Sequence, residues 1–131
     1  MPESILIIDD HQSWLSVLNS ILVQSGFQVL LASSAEKGIS MAVEHQPSII
    51  LLDVMMPKMN GLEVLGLLRR NAALAETPII MISAQADAKT QADALVAGAD
   101  SYMIKPVHPT ELINRIQSLI RNANGSAEAP S

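Results

Sequence analysis

Short apolar runs alternate with longer amphipathic stretches along this chain. The runs are four or five residues long, and most are rich in Ile, Val or Leu and continuous in hydrophobicity. Continuous runs of this length are typical of strands that are covered on both faces of a sheet. The predicted strands are residues 5–8, 27–31, 49–52, 79–83 and 101–104.

The stretches between the runs have apolar residues at the spacing of an α-helix. The first stretch places Trp14, Leu18 and Leu22 on one face, and the last stretch does the same with Leu112 and Ile116. The three helices between them are predicted at about residues 35–45, 61–71 and 87–97.

Five strand–helix units in succession predict the fold. Each connection is long enough for a helical crossover, so we expect parallel strands and right-handed crossovers. The sequence therefore predicts an α/β fold with a doubly wound, five-stranded parallel sheet and five helices. The strand order 2-1-3-4-5 of the flavodoxin-like fold suits five such units, and it makes the second strand an edge.

The length and composition indicate one domain. Of the 131 residues, 49% are hydrophobic and 16% are charged, which excludes an intrinsically disordered chain and allows one hydrophobic core. We expect residues 3–122 to form that domain. Residues 123–131 are rich in Ala, Ser, Asn and Gly, so we expect a flexible tail or a truncated linker there.

Charge and composition exclude several kinds of partner and site. Eight Lys and Arg residues against thirteen Asp and Glu residues give a net charge of −5, which disfavours direct binding to nucleic acid or anionic membranes. No apolar run approaches the ~20 residues of a membrane span, and a cytoplasmic location is expected. The absence of cysteine excludes disulfides and cysteine-based metal sites.

Chemically active side chains follow four of the five predicted strands. Asp9 and Asp10 follow the first strand, Asp53 follows the third, Ser83 ends the fourth and Lys105 follows the fifth. In an open parallel sheet the ligand crevice lies outside the carboxyl ends of the strands. With the order 2-1-3-4-5, the three carboxylates are therefore expected to share one pocket with a hydroxyl and an ammonium group.

Such a pocket favours a divalent cation. Two carboxylates ~4 Å apart repel each other by ~4 kcal/mol at an effective dielectric constant near 20. A cation bound only by oxygen atoms is expected to be Mg²⁺ or Mn²⁺ rather than zinc. A carboxylate beside a metal ion, a lysine and a hydroxyl is suited to attack a phosphoryl group in line.

Five motifs in order carry a family resemblance. They are ILIIDD at 5–10, LDVMMP at 52–57 with NG at 60–61, ISA at 82–84, AGAD at 97–100 and YMIKP at 102–106. Together they resemble the motifs of response regulator receiver domains, the CheY-like family, over residues 4–121. The resemblance implies a signalling domain that is not an enzyme, because it promotes only its own phosphorylation and dephosphorylation.

The resemblance implies a role for each matching acidic residue. Asp53 is expected to accept a phosphoryl group from a histidine kinase or a phosphotransfer protein. Asp10 and Asp53 are expected to bind Mg²⁺ directly and Asp9 through a water molecule, with Mn²⁺ as a possible substitute. The backbone carbonyl of Met55 would be a further metal ligand.

The resemblance also implies a switch. Ser83 corresponds to the hydroxyl that moves to the phosphoryl oxygen, and Tyr102 to the aromatic residue that turns inward with it. Lys105 corresponds to the lysine that pairs with the phosphate, and its bond to Pro106 is expected to be cis. Gln85 would lie beside the path of the attacking water. An output domain or effector would bind the face formed by the fourth helix, fifth strand and fifth helix.

Two other functions stay open from the residues alone. A phosphatase of the haloacid-dehalogenase type also uses an aspartate nucleophile and Mg²⁺, but it usually carries a second Asp two residues later, where this chain has Met55. A flavodoxin-like binding module would need a phosphate loop after the first strand, where Asp9 and Asp10 would repel a phosphate. His11, His45 and His108 are assigned to no metal site.

Overall fold

The computed structural model describes residues 3–125 of the chain. The strands are β1 (Ser4–Ile8), β2 (Gln28–Ala32), β3 (Ile49–Leu52), β4 (Ile79–Ser83) and β5 (Ser101–Ile104). The helices are α1 (Gln12–Gln24), α2 (Ala35–His45), α3 (Gly61–Arg70), α4 (Ala88–Val96) and α5 (Pro109–Gly125), with a 3₁₀ turn at Ala72–Leu74. All strand pairs are parallel and their order is β2-β1-β3-β4-β5, which confirms the predicted fold.

The sheet separates two hydrophobic cores. Leu6 and Ile8 of β1 point to the face that packs against α2 and α3, whereas Ile5 and Ile7 point to the face covered by α1 and α5. This alternation follows from the two-residue period of a strand. Because both faces of the sheet are covered, the central strands β1, β3 and β4 are continuously apolar except for Ser4 and Ser83 at strand ends, as the continuous runs indicated.

The edge strand β2 differs from its predicted bounds by one residue at each end. The backbone N–H of Phe27 donates to the Leu22 carbonyl at 3.1 Å, so this residue belongs to the turn after α1. Ala32 instead pairs with Ile8 of β1 and extends the strand. β1 also begins one residue earlier than its apolar run, because Ser4 pairs with Gln28.

The end of α5 also differs from the prediction. Residues 123–125 are helical, although the sequence placed the start of a tail at residue 123. Asn and Ala residues do not interrupt a helix that is already propagating, and the first glycine after residue 109 is Gly125. The rest of the predicted tail, residues 126–131, lies outside the described residues.

Arg69, in the last turn of α3, ties together segments at the amino-terminal edge of the sheet. Its Nε and Nη2 atoms donate to the Gly98 carbonyl at 3.0 and 2.9 Å, and Nη1 donates to the carbonyls of Leu74 and Thr77 at 3.0 and 2.6 Å. Nη2 also pairs with Asp100 Oδ2 at 2.9 Å. The guanidinium thereby joins the segment before β4 to the segment between α4 and β5.

Across residues 3–125, none of the helices combines the length and the apolar composition that crossing a bilayer requires.

Candidate functional site

The acidic residues meet because β1 and β3 are neighbours in register. Ile8 of β1 pairs with Leu52 of β3. Asp53, which directly follows β3, donates its backbone N–H to the Ile8 carbonyl at 3.0 Å. This pairing places Asp9 and Asp53 side by side at the carboxyl edge of the sheet. One side-chain ligand atom from each of Asp9, Asp10, His11 and Asp53 lies within 4.8 Å of the other three.

Lys105 enters this acidic cluster from β5. Its Nζ atom lies 2.8 Å from Asp9 Oδ2 and 3.7 Å from Asp53 Oδ2, and only 15% of the side chain is exposed. The bond between Lys105 and Pro106 is cis, as expected. The same Nζ atom lies 5.1 Å from the centre of the Trp14 ring, so the single tryptophan lies beside the cluster.

Burial leaves part of the negative charge uncompensated. Asp9 and Asp53 are each 2% exposed. Within residues 3–125, the buried atoms Asp53 Oδ2 and Asp10 Oδ1 have no hydrogen-bond partner. Burial raises the pKa of Asp53, the negative charge of Asp9 raises this pKa further, and the Lys105 ammonium opposes both effects. Unpartnered carboxylate oxygens in a buried cluster fit a divalent cation, because the cation supplies the missing positive charge.

His11 is the fourth residue of the acidic cluster. The sequence analysis did not place it there. Its Nδ1 atom lies 2.9 Å from Asp9 Oδ1 and 3.4 Å from Asp10 Oδ1. The hydrogen bond to Asp9 raises the pKa of the imidazole, and the charges of both carboxylates raise it as well. Its position directly after Asp10 was the available signal, since it shares the loop that carries the acidic pair.

Ser83 and Tyr102 both contact the backbone of Gln85. Ser83 is fully buried, and its Oγ atom accepts the Gln85 N–H at 3.1 Å. The Tyr102 hydroxyl donates to the Gln85 carbonyl at 2.6 Å, and burial raises the pKa of this phenol. The loop after β4 therefore connects the two residues of the expected switch.

The loop after β3 is held by the start of α3. The Gly61 N–H donates to the Val54 carbonyl at 2.7 Å, and a Cβ at this position would lie only 2.1 Å from the backbone oxygen of Asp53. Asn60 and Glu63 form a capping box at the start of α3. The expected role of Met55 as a carbonyl ligand stays a prediction; its N–H donates to Asp53 Oδ1 at 3.3 Å.

The site can therefore hold a divalent cation and present a buried carboxylate to an electrophile. Asp53 Oδ2 is available because no described residue donates a hydrogen bond to it. The Ser83 hydroxyl ends β4, which is the neighbour of β3 in the sheet, and Lys105 directly follows β5, the strand beyond β4. A carboxylate nucleophile beside a bound metal ion and an ammonium group is suited to phosphoryl transfer, because both positive charges can offset charge on the phosphoryl oxygens.

Comparisons with known proteins agree with this chemistry. The sequence profile of the response regulator receiver domain matches residues 5–117. The transcriptional regulatory protein KdpE of Mycobacterium tuberculosis is 36% identical over 95% of this chain, which covers 54% of that protein. The chain spans about half the length of the curated relatives it matches.

Solved structures of receiver proteins are similar over nearly the whole chain. The receiver domain protein of Methanospirillum hungatei has a TM-score of 0.91 at 28% identity, covering 96% of this chain and 99% of that one. A chain of the CheX-CheY-BeF3-Mg²⁺ complex of Borrelia burgdorferi has a TM-score of 0.85 at 28% identity, covering 91% of this chain and 90% of that one.

Proposed function

Since the chain belongs to the family of response regulator receiver domains, we propose that it accepts a phosphoryl group on Asp53. The donor is the phosphohistidine of a histidine kinase or of a phosphotransfer protein. The observation that carries the proposal is the buried Asp53 Oδ2, which lies 3.7 Å from Lys105 Nζ and lacks a hydrogen-bond partner within residues 3–125. That oxygen is the one available for a new bond.

The transfer exchanges one bond to phosphorus for another. An oxygen of Asp53 bonds to phosphorus while the bond from phosphorus to the donor's histidine nitrogen breaks. The electron pair of the broken bond stays on that nitrogen, and the products are an aspartyl phosphate and a free imidazole. The transferred group carries its negative charge into the pocket, so the surrounding residues must compensate for it.

Lys105 and Ser83 provide that compensation in the proposal. The Lys105 ammonium lies within 4 Å of both Asp9 and Asp53, so a small movement of the side chain brings it to a phosphoryl oxygen. The Ser83 hydroxyl accepts a hydrogen bond from Gln85. Because a hydroxyl can accept and donate at the same time, its own proton can be donated to a second phosphoryl oxygen.

Asp9, Asp10 and Asp53 would hold Mg²⁺, or Mn²⁺ in its place. When bound, this cation neutralises charge on the phosphoryl oxygens. Met55, two residues after Asp53, can neither give nor take a proton in general acid–base catalysis. We therefore assign self-phosphorylation and self-dephosphorylation to this domain, with Gln85 beside the path of water, and no turnover of an external substrate.

The output surface of the proposal is the face formed by α4, β5 and α5. Leu95 and Val96 of α4 and Ile104 of β5 are exposed apolar side chains on these elements, and such side chains can pack against a partner. The partner is an output domain or a separate effector protein, and residues 3–122 act as the receiver domain.

The proposed donor also bears on location. A histidine kinase as the phosphoryl donor implies that this chain is cytoplasmic.

The test is chemical modification with a small phosphoryl donor. The full chain is incubated with Mg²⁺ and acetyl phosphate, and the product is analysed by intact mass and peptide mapping. We expect one phosphoryl group on Asp53, lost when Mg²⁺ is chelated and absent from Asp53→Asn. Asp93→Asn, which changes an exposed aspartate on α4, is the matched control and should be modified normally. Equal labelling of Asp53→Asn would contradict the proposal.

A second measurement tests the output surface. Beryllofluoride and Mg²⁺ form a stable mimic of an aspartyl phosphate, and amide chemical shifts report where the structure responds. We expect changes at Asp53 and Ser83 and also in α4 and β5. Shifts that stop at the acidic cluster would contradict the assignment of the output face.

A further inference from the structure

His11 reaches into the acidic cluster from the start of α1. Its Nδ1 atom lies 2.9 Å from Asp9 Oδ1, 3.4 Å from Asp10 Oδ1 and 3.7 Å from Asp53 Oδ2. The backbone N–H of His11 donates to the same Asp9 oxygen at 2.9 Å, which holds this residue against the cluster. The imidazole therefore contacts or approaches all three carboxylates at once.

These four side chains can act as one ligand set. One atom from each lies within 4.8 Å of the others. Ligands held tetrahedrally at the ~2.0–2.1 Å of zinc–nitrogen and zinc–oxygen bonds lie about 3.3 Å apart. The three distances from Nδ1 to the carboxylate oxygens span that value, so small side-chain movements close the set around one ion.

An independent observation shows that a positive partner is needed. Asp53 is 2% exposed, and its Oδ2 atom has no hydrogen-bond partner in the part of the chain that the structure describes. The Oδ1 atom of Asp10 also has no partner there, although 27% of the Asp10 side chain is exposed. Lys105 compensates one carboxylate through its 2.8 Å contact with Asp9. Three carboxylates and one ammonium leave two negative charges, and one divalent cation balances them.

We propose that His11 is a metal ligand through Nδ1 and that this site binds Zn²⁺ in preference to Mg²⁺. Imidazole nitrogen suits zinc, whereas Mg²⁺ prefers oxygen ligands in an octahedral arrangement and keeps several water molecules. The regulatory consequence rests on the proposed function: a zinc ion bound by His11 and Asp53 occupies the acceptor oxygen and blocks phosphoryl transfer.

The direct test is a calorimetric titration of the metal-free full chain with Zn²⁺ and, separately, with Mg²⁺. His11 makes no side-chain hydrogen bond that caps α1, and 58% of its side chain is exposed, so His11→Ala is expected to fold. We expect His11→Ala to weaken Zn²⁺ binding by about tenfold or more and to leave Mg²⁺ affinity nearly unchanged. His45→Ala, a partly exposed histidine on α2, is the matched control and should change neither affinity.

Two results would overturn the inference. One is a His11→Ala variant that binds Zn²⁺ as tightly as the unchanged chain. The other is an equal loss of Zn²⁺ and Mg²⁺ affinity, because that would indicate a general structural effect. Nitrogen NMR of the imidazole rings gives a separate readout: zinc should shift the Nδ1 resonance of His11 and leave that of His45 in place.

The competition experiment separates this inference from the proposed function. Equimolar Zn²⁺ added with Mg²⁺ and acetyl phosphate should suppress modification of Asp53 in the unchanged chain, and should suppress it less in His11→Ala. If Mg²⁺ and acetyl phosphate alone give no modification, the proposed function fails, and the zinc titrations still decide the role of His11. Equal suppression in both proteins would contradict the regulatory consequence.

Discussion

The Tyr102 hydroxyl donates to the backbone carbonyl of Gln85 over 2.6 Å, which joins β5 to the loop after β4. Tyr102 is the single tyrosine of the chain, so its ionisation can be followed by ultraviolet absorbance without interference. Burial disfavours the charged phenolate and raises the pKa of Tyr102. We expect the native chain to titrate above the ordinary value near 10, and the urea-unfolded chain to titrate at about that value.

The sign of the linked stability follows from the raised pKa. The folded chain binds the phenolic proton more tightly, so the contribution of Tyr102 to the free energy of unfolding is fully present below pH ~10 and is lost as the pH rises through the raised pKa. Tyr102→Phe removes the hydrogen bond to Gln85 and should cost about 1 kcal/mol at neutral pH. Identical titration of Tyr102 before and after unfolding would show that the phenol is not buried.

Asp53→Asn should stabilise the chain when divalent cations are absent. The substitution removes a buried charge that Asp9 repels and that lacks a hydrogen-bond partner in the described range 3–125. We expect the free energy of unfolding to increase by about 1–2 kcal/mol in the presence of a chelator. The advantage should shrink when Mg²⁺ is added, because the unchanged chain then gains more from the cation. Urea denaturation with and without Mg²⁺ measures both effects.

Asp9→Asn is the matched control, because it also removes one charge from the cluster. The Asp9 carboxylate accepts hydrogen bonds from the Lys105 ammonium at 2.8 Å and from the backbone N–H of His11 at 2.9 Å. Losing the charged acceptor should outweigh the relief of repulsion, so this variant should be less stable than the unchanged chain. Equal stabilisation by both substitutions would mean that the repulsion acts on the whole cluster and that the contacts of Asp9 contribute little.

Gly61→Ala should disturb the loop that carries Asp53. The added methyl group would lie 2.1 Å from the Asp53 carbonyl oxygen and 2.8 Å from Val54 Cα, and both atoms belong to the backbone. We expect a loss of roughly 2–3 kcal/mol in the free energy of unfolding, together with slower modification of Asp53 by acetyl phosphate.

Gly66→Ala provides the comparison for this variant within the same helix. A Cβ at Gly66 would meet no heavy atom within 4 Å, and alanine favours a helix interior over glycine. This substitution should raise the free energy of unfolding by about 0.5–1 kcal/mol. Thermal denaturation of the two variants should therefore give melting temperatures on opposite sides of the unchanged chain.

Arg69→Lys should destabilise the chain although the charge is kept. Different nitrogens of the Arg69 guanidinium donate to the carbonyls of Gly98 and Thr77, and the single nitrogen of a lysine cannot take both positions. We expect a loss of about 2–3 kcal/mol. Arg70→Lys, an exposed neighbour, should stay within ~0.5 kcal/mol of the unchanged chain. Hydrogen exchange at Gly98 and Ile79 would show whether the loss begins where Arg69 binds.

The sequence predicted the sheet well because its signal is strong and local. The runs at β3 and β4 are apolar up to a polar residue, Asp53 after β3 and Ser83 at the end of β4, so these carboxyl ends can be read directly. The errors lie where this contrast is weak. Ser4 is polar yet pairs with Gln28, and Phe27 is apolar yet belongs to a turn. Backbone pairing decided these positions, and hydrophobicity could not indicate it.

The acidic cluster was predictable for a different reason. Parallel strands end at the same edge, so side chains that follow neighbouring strands must meet, and Asp9 and Asp53 do so. The direction of a loop side chain obeys no such rule, and His11 was therefore missed. Arg69 was missed as well, because an arginine in the last turn of a helix usually faces solvent.

The contacts of Arg69 with the segment after α4 have a mechanical consequence. The Gly98 carbonyl, just beyond the end of α4, is fixed by two hydrogen bonds, while the opposite end of α4 follows the Gln85 loop that Ser83 and Tyr102 contact. A displacement of that loop is therefore expected to move the start of α4 and to leave the segment at residue 98 in place. The amplitude would be largest near residue 88 and would vanish toward the anchored end.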